Sequence, residues 1–472
     1  MKIMLRLMST RAGRWHLLIV VITFLNFPSG FIYGQANLSA SDSTLLVSAA
    51  NDTSQLKQLI LQRSGDFVAA EAQNRLGMIF FNMGKHEGAK REFLAVYQQY
   101  LNSPEASTAL GNLGRIAYSE DLFGEAIKYY KLFLATNPVG VNAQWARYCL
   151  VRAMRQMNDP DFIDSAHAYF ASPHDSTISR EVIIQYDVVR YLADHHQYAQ
   201  AISEAGKLIN RYPASQYVSY VEPRIADYYM LSGDYQSAID QCKSLINKYP
   251  AGSNDAARAQ NMLGQVYLNM NNFQQARLEY ARVKQIHSAA TEWVNGTDFS
   301  IAFVDVQEGL TKNDSALLAT ALQGLQTFVA DHPHHRYVPR ALMSVADLSI
   351  KSADYSGAIV AYDGIINFDT LIIDFGKYSS HSDEMKTFRE YVVMAHLGKG
   401  MLFRTQTHDP VSALAEYEIV LAGSQKLDDA LLNKALCLVD LGRKEEARAI
   451  LARLVNQQSQ VKEAAAQILN SF

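Results

Sequence analysis

The stretch LGQVYLNMNNFQQARLEY, residues 263–280, decides the fold of this 472-residue chain. Leu263 and Tyr267 are four residues apart and share one face of a helix; Ala276 and Tyr280 do the same on a second helix. Met270-Asn271-Asn272 is the polar turn between them. Gly264 leaves room for the second helix to come close, Ala276 is the small residue facing it, and Tyr280 is expected to plug the gap to the next unit. The spacing recurs at Leu113-Gly114, Ala117, Ala126, Tyr130 and Pro138, and again at Leu76-Gly77, Phe80, Ala89 and Phe93. Alanines 89, 126, 201, 238 and 276 recur at 37 or 38 residues or twice that, Ala321 and Ala358 are again 37 apart, and Ala447 follows after a wider step, close to the period at which helix pairs stack into a solenoid.

Further punctuation agrees. Ser232-Gly233-Asp234 is another turn within a pair. Tyr212-Pro213 and Tyr249-Pro250 end second helices, because proline disfavours helix in the residue before it. These residues resemble the tetratricopeptide repeat, closely at 70–102, 107–140 and 257–287 and more loosely at 182–214, 219–251, 339–370 and 428–457. Most of the signature is lost at 141–180, 291–335 and 371–424. The extra residues after Tyr-Pro, as in Arg211-Tyr212-Pro213-Ala214-Ser215 and Lys248-Tyr249-Pro250-Ala251-Gly252-Ser253, are similar to bacterial envelope proteins of the Tol-Pal-associated and outer-membrane-assembly (BamD-like) type. The resemblance implies an all-α fold of tandem helix-turn-helix repeats stacked into a right-handed solenoid.

The N-terminus reads as a secretory signal peptide over 1–34. Lys2, Arg6, Arg11 and Arg14 precede an apolar run from Leu17 to Leu25, and a polar stretch leads to Ile32-Tyr33-Gly34. The run is shorter than the roughly 20 residues a bilayer crossing needs, so a mature chain starting at Gln35 is expected beyond the cytoplasmic membrane, periplasmic, outer-membrane-associated or secreted. Without the four basic residues of the signal, 39 basic side chains face 47 acidic ones, a mature charge of −8. That balance argues against nucleic acid or anionic lipid as the main partner. Residues 35–65 read as a mobile leader and N-terminal cap, 66–290 as repeats and 291–335 as a degenerate repeat with a turn at Asn295-Gly296. Residues 336–472 read as repeats with a C-terminal cap and an insertion near 367–391, where Leu371-Ile372-Ile373 leads to Gly376 and a Ser/His-rich loop at 379–383.

Catalytic and metal signatures are missing. Asp331-His332-Pro333-His334-His335 and Asp194-His195-His196 lack the spacing of zinc ligands and fall where other repeats have a connector and a turn. There is no P-loop, dinucleotide fingerprint or GxSxG, so neither an enzyme nor a cofactor is expected. Cys149, Cys242 and Cys437 lie in non-adjacent repeats, too far apart to pair in a solenoid, and read as small buried hydrophobes. The resemblance implies that the first helix of each pair lines a concave groove. Projecting the helical period puts Arg115, Tyr118, Tyr186, Arg190, Arg224, Asp227, Gln265, Asn269 and Asp347 there. The expected role is a non-catalytic scaffold for a protein or peptide partner in the cell envelope. The alternative is a glycan- or peptide-capturing protein with a SusD-like role. Arg258, Asn261 and Gln265 do not reproduce the two-carboxylate clamp of chaperone-tail-binding repeats.

Overall fold

A computed structural model describes residues 39–471 apart from 50–51, 102, 173–177, 369–380, 424–426 and 457–460. The signal peptide and the Leu371-Ile372-Ile373 and Gly376 part of the insertion lie outside the described residues. Among the described residues there are 23 helices and no strand, arranged as a tandem helical solenoid. The chain divides into two compact units, 1–218 and 219–472.

In the first unit the helices Ala40–Ser48 and Thr53–Gln62 precede four pairs: Phe67–Asn82 with His86–Gln99, Pro104–Ser119 with Phe123–Thr136, Val141–Gln156 with Phe162–Ala171, and Ile178–Asp194 with Tyr198–Arg211. Helix Gln216–Leu231 contains the boundary and pairs with Tyr235–Lys248. The second unit continues with Asn254–Asn269 and Phe273–Ile286, Thr291–Lys312 and Ser315–Asp331, Val338–Lys351 and Tyr355–Ile366, His381–Thr405 and Pro410–Gly423, Leu427–Asp440 and Lys444–Asn456, and a closing helix Lys462–Leu469.

The turns show why the chain alternates this way. Each pair reverses through one residue with left-handed backbone: Gly84, Asp121, Asn158, His196, Gly233, Asn271, Asn313, Ala353, His408 and Gly442. Glycine, asparagine and aspartate enter that region at least cost. The following helix is often capped at once, as when Asp234, Asn272 and Asp354 accept from the backbone N–H groups of Ser237, Gln275 and Gly357. First helices start on Ser103 and Ser253, whose hydroxyls accept from Ala106 and Ala256.

All eight periodic alanines are fully buried, as are Ala166 and Ala413 in the repeats whose signature had faded. The glycine of the close pairs faces the aromatic of its own repeat. A Cβ on Gly77, Gly114 or Gly264 would sit 2.7, 2.8 or 2.7 Å from the ring of Phe93, Tyr130 or Tyr280. The second aromatic therefore fills the space inside its pair, a correction to the expectation that it plugs the gap to the next unit. Tyr362 does reach onward, to Gly398 of the following pair.

Two further expectations change. Residues 291–335 form a complete pair, and Asn295-Gly296 is no turn but lies inside the 22-residue helix Thr291–Lys312. A Cβ at Gly296 would come within 2.9 Å of Tyr337, so the glycine serves close packing. His381 to Asp383 of the expected loop begin a 25-residue helix.

The residues before the connector prolines have a job the sequence did not reveal. Tyr212 donates to the buried Glu181 carboxylate, which Arg211 also meets at 2.9 Å. Glu222 likewise receives Lys248 at 2.5 Å and the Tyr249 hydroxyl at 3.0 Å. The end of each second helix is thus tied to its own first helix by a charge-assisted hydrogen bond.

Candidate functional site

Arg115, Arg190, Asp227, Gln265 and Asp347 each precede the alanine of their repeat by 11 residues, and Asp187 and Arg224 precede theirs by 14. These registers put them on first helices, and the structure settles what each meets.

In the first unit the Arg115 guanidinium lies over the Phe81 ring at 4.5 Å, and burial lowers its pKa. Tyr118 packs edge-on to Phe123 at 5.5 Å and sits beside Arg152; burial raises its hydroxyl pKa. Tyr186 is half-buried with its ring 4.9 Å from that of Tyr217. Arg190 lies near Asp187, whose carboxyl is pushed up by burial against the pull of Arg152, Arg155 and Arg190. Arg152 and Asp187 approach to 3.4 Å, and Arg155 meets Asp194 at 2.6 Å. Much of this charge is therefore spent on tying neighbouring first helices together. Arg152 and Arg155 belong to the cluster as well, although the helical projection does not include them. They stand 14 and 11 residues before Ala166, the alanine the faded repeat concealed.

In the second unit three successive first helices, together with Tyr337 at the start of the next, enclose a cavity of about 190 Å³. Its lining includes Asp227, Arg258, Asn261, Gln265 and Trp293, with Ala226, Met230, Met262 and Val266 as apolar wall. Burial raises the Asp227 pKa, opposed by Arg258 and Arg224; burial lowers that of Arg258, opposed by Asp227. Arg336 stacks on Trp293 at 4.7 Å and pairs with Glu292 at 3.1 Å. Gln265 donates to Asn269 at 2.9 Å, but Asn269 is exposed and outside the lining. Asp347 is also exposed and outside it, with its carboxyl raised by desolvation. Of the nine residues expected in a groove, then, Asp227 and Gln265 share the cavity, Arg224 stands beside Asp227, and the others lie outside its lining. Arg258, Asn261 and Trp293 complete it, and no motif in the sequence joined them.

The histidine clusters are turns. Nδ1 of His335 accepts from the Tyr337 N–H at 3.1 Å and its Nε2 faces the Glu292 carbonyl at 3.1 Å, so both ring nitrogens are engaged. Burial lowers its pKa to about 4. Among the described residues no three His, Cys, Asp or Glu side chains converge at metal-binding range, and no helix is long and apolar enough to cross a membrane. The three cysteines are free and buried, with burial raising the thiols to about 12, 12 and 11 at positions 149, 242 and 437.

Residues 77–281 match the YfiO family, described as outer membrane lipoprotein, and residues 405–469 match a tetratricopeptide repeat family. No curated protein matches the chain. Similar solved structures include the C-terminal part of a tetratricopeptide repeat protein from Cytophaga hutchinsonii, at 14% identity over 56% of this chain and 98% of that one, with a TM-score of 0.36. A tetratricopeptide repeat protein from Parabacteroides merdae gives 15% over 55% and 99%, at 0.32. Yeast Tom70 gives 11% over 85% and 95%, at 0.35. The chain resembles tetratricopeptide-repeat proteins of the BamD-like type.

Proposed function

We propose that this tetratricopeptide-repeat protein is a non-catalytic scaffold of the cell envelope that holds a partner protein through an extended segment laid across its first helices. The observation that carries this reading is the cavity of the second unit, where Asp227, Arg258, Asn261, Gln265 and Trp293 from consecutive first helices face one space. Aromatic and arginine side chains that desolvate at an interface supply much of its energy, about 2 kcal/mol or more at a hot spot. Placement in the envelope rests on the signal-like 1–34 and on the outer-membrane lipoprotein family matched at 77–281.

The test is crosslinking of the tagged protein in intact cells, followed by mass spectrometry of what is captured and where. Envelope-assembly or wall-synthesis proteins linked to the first helices are the expected result. Failure to capture a protein, together with saturable oligosaccharide binding in a titration, would overturn the reading in favour of glycan capture. N-terminal sequencing should find the mature chain starting at Gln35; an intact Met1 would remove export.

A further inference from the structure

Two buried donors of the second unit stand without acceptors. The indole Nε1–H of Trp293, a residue 7% exposed, and the side-chain amide nitrogen of Asn261 have no hydrogen-bond partner. A donor buried and unsatisfied costs about 1–3 kcal/mol, and native interiors leave few. Here both residues line one cavity. Two orphan donors sharing a space describe a site that waits for an acceptor.

The dimensions and walls of the space narrow the acceptor further. At about 190 Å³ the cavity is smaller than the roughly 300–1,000 Å³ of small-molecule sites, so it admits one side chain rather than a free ligand or an oligosaccharide. Ala226, Met230, Met262 and Val266 would cover the methylenes of a stem, and methionine adapts its shape to what enters. Arg258 adds a guanidinium to the lining, and Asp227, the carboxylate there, already has Arg258 and Arg224 as charged neighbours. Donors and positive charge beside an apolar wall favour a carboxylate over an amide, since charge-assisted hydrogen bonds are about twice as strong.

We propose that this cavity is an anchor subsite for a single glutamate side chain within the partner's extended segment. Its carboxylate oxygens accept from Trp293 Nε1–H and the Asn261 amide, and its stem lies against Met230, Met262 and Val266. The proposal rests on the scaffold reading and deepens it by naming the anchoring residue. It differs from recognition of a chain terminus, because the acceptor is an internal side chain.

The test uses the full chain labelled with ¹⁵N-tryptophan, with Trp293→Phe assigning the indole resonance. The probes are acetyl-Ala-Ala-Glu-Ala-Ala-amide and its Gln and Lys counterparts. The glutamate peptide should move the Trp293 indole signal downfield and saturably, the Gln peptide should bind more weakly, and the Lys peptide should leave it still. Asn261→Ala should weaken the glutamate peptide by about tenfold, the loss of one charge-assisted hydrogen bond, while the Trp145 signal and the helical circular dichroism stay unchanged. A Trp293 signal that ignores the glutamate peptide, or answers all three probes alike, overturns the proposal. In-cell crosslinking separates it from the scaffold reading. A partner captured equally by wild type and Asn261→Ala sinks the subsite and leaves the scaffold. No partner for either, with a Trp293 signal that still titrates with the glutamate peptide, sinks the scaffold and keeps the subsite chemistry.

Discussion

Gly264→Ala and Gly206→Ala are the same chemical change on two helices, and the structure predicts opposite signs. Inside a helix, alanine is favoured over glycine by about 1 kcal/mol. At Gly206 a Cβ would meet nothing within 4 Å, so that preference should appear almost whole, as a gain of about 0.5–1 kcal/mol. At Gly264 the new carbon would lie 2.7, 2.8 and 3.0 Å from three carbons of the Tyr280 ring, whereas carbons rest at about 3.5–4.0 Å. The ring must therefore retreat by close to an ångström, and Tyr280 is only 2% exposed, with little space to retreat into. Overpacking of this kind costs about 1–3 kcal/mol. After the helix preference is subtracted, a net loss of about 1–2 kcal/mol remains, and the two variants should differ by about 2–3 kcal/mol. Urea unfolding gives the difference, and hydrogen exchange gives its location: amides of 254–286 and the adjoining pairs should loosen first, because repeats share energy with nearest neighbours. Trimming the ring with Tyr280→Leu in the Gly264→Ala background should recover part of the loss as a coupling energy. Equal stabilisation by both alanines, or uniform loosening across the chain, would refute the reasoning.

Four further outcomes are expected. Burial holds the folded pKa of His335 at about 4, below the ordinary 6.5, against the opposing pull of the Glu292 carbonyl. The unfolded imidazole takes a proton first, so stability is present above pH 6.5 and is lost as pH falls toward 4; the loss is up to roughly 3 kcal/mol, and His335→Gln should flatten urea curves compared between pH 7 and 4.5. Ala353 has the left-handed backbone that glycine adopts freely, and Ala353→Gly should raise stability by about 1 kcal/mol in the same assay. Asp187→Asn should strand the Arg152 guanidinium, 3.4 Å away and mostly buried, and lower stability by about 3 kcal/mol, read by urea unfolding; an effect under about 0.5 kcal/mol would show the pair to be superficial. A thiol reagent should find no reactive cysteine in the native protein and three after denaturation, since all three are buried with raised pKa.

The turns, the alanine column and the Tyr-Pro stops were readable because each rests on residues close together in sequence. The repeats at 182–214 and 428–457 match only loosely for a reason of volume rather than of fold. Where Gly114 faces Tyr130, the equivalent positions hold Val189 and Ala205 in one repeat and Ala435 and Leu451 in another, all of them buried. A large residue on one helix with a small one on the other fills the same space in either order. A search for Leu-Gly sees only one order. Asn295-Gly296 misled for a related reason: the pair signals a turn when local preference rules, and here packing against Tyr337 ruled instead.

By itself the sequence determined that helices pair, where several pairs reverse, and which small residue lies at eight of the contacts, because those follow from i to i+4 spacing and from the backbone freedom of a few turn residues. Only the tertiary structure decided which polar groups are paired and which are left over. Arg152 and Asp187 are 35 residues apart and meet. Trp293 and Asn261 are 32 apart and share a cavity in which neither has an acceptor. Those distances depend on how one repeat stacks on the next, a sum of side-chain volumes over several helices that no local pattern encodes.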